Sequence, residues 1–164
     1  MLFERRSSLF RGAVAASLFG LLGLGCAHAK IARTDIDDTE ENRAIIKIVG
    51  AYHTALEHLD ADELLSLVSP AYYEDNGNMD ASDDYDFKEL AANLREDFAH
   101  TKAMKIDLRV DAVEVDDDEA YAELFYTYHA HNEYPSGLKW ESGSDRTRLR
   151  LRRTDGQWLI VAGL

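Results

Sequence analysis

AYAELFYTYHAHNEY, residues 120–134, is the stretch whose period decides the fold. Ala122, Leu124, Tyr126 and Tyr128 alternate with Glu123, Phe125, Thr127, His129 and His131. A period of two puts the two sets on opposite faces of one long strand, apolar and aromatic on one side, largely polar on the other. Its flanks supply partners. Upstream, Ile106, Leu108 and Val110 alternate with Asp107, Arg109 and Asp111, and the acidic turn Asp116-Asp117-Asp118 joins that strand to the long one. Downstream, Pro135-Ser136-Gly137 makes a turn into a strand from Leu138 to Arg153, where Arg146, Arg148, Arg150 and Arg152 alternate with Thr147, Leu149 and Leu151. Asp155-Gly156 is a hairpin turn, and Trp158 to Leu164 closes a four-stranded antiparallel meander.

Before residue 104 the period is that of a helix. Ile45, Ile48, Val49, Tyr52, Leu56 and Leu59 recur at three- and four-residue spacing on one face. Asp60 is an N-cap with Glu63 three places on, and Leu64, Leu65, Leu67 and Val68 face inward until Pro70 ends the second helix. Residues 69–85 read as an irregular loop turning at Asn76-Gly77. A third helix spans about Asp86 to Thr101, with Phe87, Leu90, Ala91, Leu94 and Phe98 as its buried stripe. Helices first and an antiparallel meander after them is an α+β pattern: three N-terminal helices packed into the concave side of a curved antiparallel sheet.

The segments AYHTALEHLDADEL (51–64), LLSLVSPAYYEDNG (64–77) and the closing DGQWLIVAGL (155–164) carry a resemblance. Over residues 44–164 the chain resembles the nuclear transport factor 2-like (NTF2-like) superfamily, close to its SnoaL-like members. That resemblance implies a cone-shaped fold enclosing a pocket, in many members a homodimer through the convex sheet face. It also implies a membership that mixes isomerases, dehydratases and cyclases with domains that only bind, so fold alone decides little about activity.

The first 29 residues describe an address. Arg5, Arg6 and Arg11 supply a positive start, Gly12 to Gly25 is uncharged and apolar, and small residues follow. That order is a bacterial export signal, too short for a transmembrane helix. Two cleavage sites compete. Leu22-Gly23-Leu24-Gly25-Cys26 resembles a lipobox that would lipidate Cys26, although Gly23 stands where a large aliphatic residue is usual. Ala27-His28-Ala29 suits ordinary signal peptidase. The expectation is an exported envelope protein, lipid-anchored at Cys26 or soluble in the periplasm, with an acidic tether over residues 30–43.

Three of the 18 basic and one of the 31 acidic side chains lie in the signal, which leaves 15 against 30 and a net charge of −15 after residue 29. Nucleic acid and anionic lipid headgroups are bound by clustered Lys and Arg, so nucleic-acid binding is excluded and membrane contact is left to the lipid anchor alone. Cys26 is the only cysteine, so disulfides play no part. No nucleophile elbow, phosphate-binding glycine loop, cysteine metal motif or dinucleotide fingerprint occurs, and no cofactor or metal is expected.

Enzymes of the resembled superfamily place an Asp or His base and Tyr or Asp donors inside the apolar cone, which singles out His53 and Asp75 as catalytic candidates. His53 flanks the first helix's stripe and could reach the pocket mouth, though a hydrogen-bonded structural histidine is the commoner explanation. Asp75 follows Tyr72 and Tyr73, and reads either as a base with a raised pKa or as turn chemistry with Asn76-Gly77. Tyr52, His53, Tyr72, Tyr73, Tyr126 and Tyr128 are the expected lining of a ligand pocket. His129, His131 and Glu133 share a strand face, but two histidines at i, i+2 make a zinc site only with a third ligand in the right geometry. The arginine row is expected to pair with Glu123, Asp107 and Asp111 on neighbouring strands, and Phe125 among those charges hints at a dimer contact. The leading expectation is a binder of a small apolar or amphipathic molecule. An acid–base isomerase, dehydratase or cyclase, and a non-catalytic interaction module, are the alternatives.

Overall fold

Thr39 starts the first helix: its hydroxyl accepts from the Asn42 N–H at 3.1 Å, and Glu40 and Glu41 lie at the positive end of the helix. In this computed structural model, residues 29–164 are described; residues 1–28, with most of the expected export signal and Cys26, lie outside the described residues. Helix α1 runs Glu40–His58. It thus begins inside the stretch expected to be a tether. The residues before it are folded as well: Lys30 bridges Asp37, and Ile36 is buried. A single apolar side chain, Ile36, gives this acidic segment something to bury, which the charge pattern concealed. Leu59 is not the last member of the α1 stripe but its C-cap, left-handed at φ 56°, with its N–H turned back to Ala55 and Leu56.

Helix α2 (Ala61–Ser66) is capped by Asp60, whose carboxylate accepts from the Glu63 N–H at 2.9 Å. The chain then hooks onto the far edge of the sheet through Ser69 N–H to Ile160 O (2.8 Å) and Ile160 N–H to Leu67 O (2.9 Å). The segment expected to be irregular contains two short antiparallel strands, β1 (Tyr73–Glu74) and β2 (Tyr85–Asp86), which close the loop between them. Asp86 then begins helix α3 (Phe87–His100) with a full capping box, accepting from the Lys88 and Glu89 N–H groups while the Glu89 carboxylate accepts from its own.

Four strands follow in the order β3 (Thr101–Asp116), β4 (Glu119–Tyr134), β5 (Gly137–Thr154) and β6 (Gln157–Ala162), all antiparallel and neighbouring in sequence order. Asp155 and Gly156 both have positive φ at the β5–β6 turn, the backbone that Asp-Gly favours. An irregularity between Val110 and Ala112 changes the phase of β3. Before it Met104, Ile106, Leu108 and Val110 pair with Ala130, Tyr128, Tyr126 and Leu124; after it Val113 and Val115 pair with Ala122 and Ala120. One extra residue thus keeps apolar side chains on the inner face of a strand that bends.

The core lies where α1, α2 and α3 meet the wide end of that inner face. Ile45, Val49, Leu64, Leu124, Leu149, Leu151 and Ile160 are almost fully buried there, each stabilising the fold by about 1.5–3 kcal/mol. The outer face is a ladder of charge. Arg148 meets Glu123 at 2.8 Å, Arg152 meets Glu119 at 2.8 Å, and Arg109 and Arg146 share Asp111 at 2.5 and 2.9 Å. Asp111 and Glu123 were expected as partners; Glu119 takes the place expected for Asp107. The Arg109 and Arg146 guanidiniums lie over the Phe125 ring at 5.0 and 5.4 Å. The exposed apolar side chains of this sheet, Leu138 and Trp140, sit near the β4–β5 turn.

Candidate functional site

At the other end of the inner face the packing is incomplete. Helix α1 contributes Tyr52 and Leu56, β3 contributes Met104, Ile106 and Leu108, and β4 contributes Tyr126 and Tyr128, and these seven side chains line a half-open cavity of about 240 Å³. Its wall is apolar except for three phenol hydroxyls. None of the hydroxyls of Tyr52, Tyr126 and Tyr128 makes a hydrogen bond to a protein group among the described residues. The Tyr126 and Tyr128 rings are 6.5 Å apart and tilted by 40°. Tyr128 lies across β5 where Gly143 faces it; a Cβ there would come within 2.9 Å of the ring. Glycine at 143 is therefore what lets the ring lie flat over the neighbouring strand.

Burial, and then the nearby Tyr126 and Tyr85, push the Tyr52 hydroxyl far above the ordinary range of a phenol. Burial, and then the Asp145 charge, raise Tyr126 as well. Both stay protonated at any physiological pH, and a protonated phenol can donate a hydrogen bond.

Met104 and Tyr128 also line a second, wider cleft of about 550 Å³ that opens outward. Its remaining wall comes from the end of α3 (Asp97, His100), the start of β3 (Thr101) and the β4–β5 arm (Ala130, Asn132, Glu133, Tyr134, Pro135, Glu141). Here Glu141 accepts from Asn132 at 2.8 Å and from the Tyr134 hydroxyl at 2.9 Å, and Lys102 pairs with Glu133 at 2.6 Å. The inner cavity is thus apolar with phenol donors, and the outer cleft carries carboxylates on a wall that is still largely apolar.

Of the six residues expected to line a pocket, Tyr52, Tyr126 and Tyr128 come together and three do not. His53 donates from Nε2 to the Ile106 carbonyl at 2.7 Å and ties α1 to β3. Glu57, one turn on, accepts the Ile106 N–H at 3.0 Å, so both polar groups of that peptide are held from the helix. Tyr72 is buried behind the sheet edge, where its hydroxyl accepts the Leu164 N–H at 3.1 Å. Tyr73 is half exposed and donates to Asp84 at 2.5 Å. Asp75 accepts the Gly77 N–H at 3.0 Å in an exposed turn, remote from the cavity wall. The polar bonds within the loop and along the sheet edge claim all four.

His131 stacks on Trp140 with ring centroids 4.5 Å apart and 4° between planes, and Glu133 is taken by Lys102. No three His, Cys, Asp or Glu side chains converge on a metal position among the described residues. The sequence reading missed Leu56, Met104 and the acidic cleft wall. Leu56, Ile106 and Leu108 were visible as inward-facing positions, but periodicity alone does not separate a residue in the core from one beside a void.

A family model described as a SnoaL-like domain matches residues 45–163, nearly all of the described chain. The chain belongs to the SnoaL-like domain family. Solved structures of the same shape include a ketosteroid isomerase-like protein from Erwinia carotovora atroseptica SCRI1043, 17% identical, covering 76% of this chain and 94% of that one with a TM-score of 0.64. A conserved protein from Planctomyces limnophilus DSM 3776 is 14% identical, covering 75% and 92% with a TM-score of 0.64. An NTF2-like superfamily protein from Salmonella enterica serovar Typhimurium LT2 is 15% identical, covering 74% and 86% with a TM-score of 0.60. At such identities the likeness establishes the cone-shaped NTF2-like fold and nothing of activity. No curated protein sequence matches this SnoaL-like chain.

Proposed function

We propose that this SnoaL-like domain binds a small apolar or amphipathic molecule in the cavity between α1 and the sheet, with the phenols of Tyr52, Tyr126 and Tyr128 as hydrogen-bond donors. The observation that carries the reading is the set of three hydroxyls without protein partners on an otherwise apolar wall. Each hydroxyl still reaches solvent, and three phenol donors without a protein partner around one apolar void suit a ligand that accepts from them. Binding is favoured over acid–base turnover because no carboxylate or imidazole lines the inner cavity among the described residues, and His53 and Asp75 are committed elsewhere. Protonated tyrosines can hold and polarise a carbonyl, but a proton abstraction also needs a base within reach, and the carboxylate nearest Tyr126, Asp145, is exposed and does not line the cavity.

The setting proposed for this activity is the bacterial envelope, with export directed by residues 1–29 and anchoring through a lipidated Cys26. Cys26→Ala is expected to release the protein from the membrane fraction; unchanged membrane association would refute the anchor. The binding reading is tested with Leu108→Trp, which fills the cavity from β3. A thermal-shift screen of small carbonyl, alcohol and amine compounds is expected to give ligands of the parent protein that the filled variant no longer binds. Ligands that stabilise both proteins equally would place binding elsewhere and refute the proposal.

A further inference from the structure

The charges around the cavity mouth are one-sided. Asp97 and Glu141 line the outer cleft, and Asp145 stands opposite Tyr126 in the β4–β5 register, on the inner face of the sheet. Among the described residues none of these three carboxylates has a basic side chain within 4.0 Å. This contrasts with the outer face of the same sheet, where arginines neutralise Glu119, Glu123 and Asp111. The cations near the mouth are already engaged: Lys102 is bound to Glu133, and Lys139 lies over the Tyr134 ring at 5.4 Å. His100 also lines the cleft and is the one further group there able to carry positive charge.

Below this anionic rim the wall turns aromatic and then aliphatic. Tyr126 and Tyr128 present ring faces and unpartnered hydroxyls, Tyr52 holds its own unpartnered hydroxyl deep between them and the helix, and Leu56, Ile106 and Leu108 close the floor. Rim, rings and floor give a gradient from negative charge through π surface to hydrocarbon. An organic ammonium with an apolar body matches each layer. Its charge lies near unneutralised carboxylates and over tyrosine faces, both of which attract cations, and its body replaces empty volume against the aliphatic floor. A bare metal ion fits poorly, since the acidic groups are spread around the rim and do not converge. An anion would face repulsion from every one of them.

We propose that the cavity is selective for amine or quaternary ammonium compounds with a small apolar body, held with the cationic head toward the Asp97 and Glu141 carboxylates of the adjoining cleft, with Asp145 adding negative charge beside Tyr126. This inference rests on the cavity-binding reading and adds the ligand's charge to it.

Three probes with one body and different heads test it: phenethylamine, phenethyl alcohol and hydrocinnamate, titrated by calorimetry against the protein purified from its host at low and moderate salt. The amine is expected to bind at least about tenfold more tightly than the alcohol, the carboxylate most weakly, and added salt should shrink the amine's advantage. In the triple variant Asp97→Asn, Glu141→Gln, Asp145→Asn the alcohol should bind as before, which reports an intact cavity, while the amine should fall to the alcohol's affinity. Equal binding of amine and alcohol, tighter binding of the carboxylate, or an amine preference that survives the triple variant would overturn cation selectivity and leave the cavity reading in place. Failure of all three probes to bind would overturn both.

Discussion

Replacing tyrosine by phenylalanine at single positions separates hydroxyls that hold the fold from those that await a ligand. Tyr72 is almost fully buried; its hydroxyl accepts the Leu164 N–H at 3.1 Å and donates to Glu74 at 3.3 Å, while Glu74 also accepts the Gly163 N–H. Tyr72→Phe deletes these bonds and leaves the part-buried Leu164 amide short of an acceptor, a loss of about 1–2 kcal/mol. Tyr52, Tyr126 and Tyr128 have no such bonds to lose. Phenylalanine there removes a solvent-reaching hydroxyl that has no protein partner and keeps the ring, so stability should change by less than about 0.5 kcal/mol each. Urea unfolding followed by tryptophan fluorescence reports this directly, because Trp158 is buried in the core. With a slope of about 1–3 kcal/mol per molar urea, Tyr72→Phe should lower the midpoint by roughly 0.3–2 M at unchanged slope. The three cavity variants should stay close to the parent. If any of them costs as much as Tyr72→Phe, its hydroxyl is structural, and its assignment as a ligand donor is wrong.

Three further outcomes follow from the geometry. Gly163 has φ +97°, and a Cβ on it would collide with the Arg148 carbonyl, so Gly163→Ala should destabilise by more than about 1 kcal/mol in the same urea assay. Gly143→Ala meets only the tip of the Tyr128 ring; it should shift the unfolding free energy by less than about 0.5 kcal/mol yet weaken phenethyl alcohol binding measurably, because the ring must swing into the cavity. The hydrogen bond from the Ile106 N–H, seconded by Lys105, holds Glu57 below its ordinary pKa of 4.5. Its contribution to stability is therefore complete above that value and lost as pH falls through the lower folded value, so the drop in urea midpoint on acidification below pH 4.5 should be shallower in Glu57→Gln.

Much of the fold was legible because its signals are local. The alternation over residues 120–134 and 106–110 gave the sheet, the Asp155-Gly156 pair gave its last turn, and the stripe of Phe87, Leu90, Ala91, Leu94 and Phe98 gave α3. Less visible were features that depend on a partner far along the chain. The fold of residues 30–39 rests on Ile36, one apolar side chain in an acidic run. The phase change at Val110–Ala112 follows from the curvature of the sheet, which no single strand displays. The site divided in the same way. Tyr126 and Tyr128 were readable from strand parity and Tyr52 from helical spacing. His53, Tyr72, Tyr73 and Asp75 have the right chemistry, and their roles were decided by hydrogen bonds to Ile106, Leu164, Asp84 and Gly77. The last two partners are close in sequence and the first two are remote. The acidic groups were hidden because Asp97 lies on α3 and Glu141 and Asp145 on β5, and ordinary surface acidity looks the same in a linear chain.

The central claim is that the Tyr52–Tyr126–Tyr128 cavity holds a small molecule. Native mass spectrometry of the protein isolated gently from its own host, beside Leu108→Trp isolated in the same way, tests this most directly. The account predicts a small-molecule adduct on the parent protein that is missing from the filled variant. A parent protein that is uniformly empty, or an adduct carried equally by both, would contradict it.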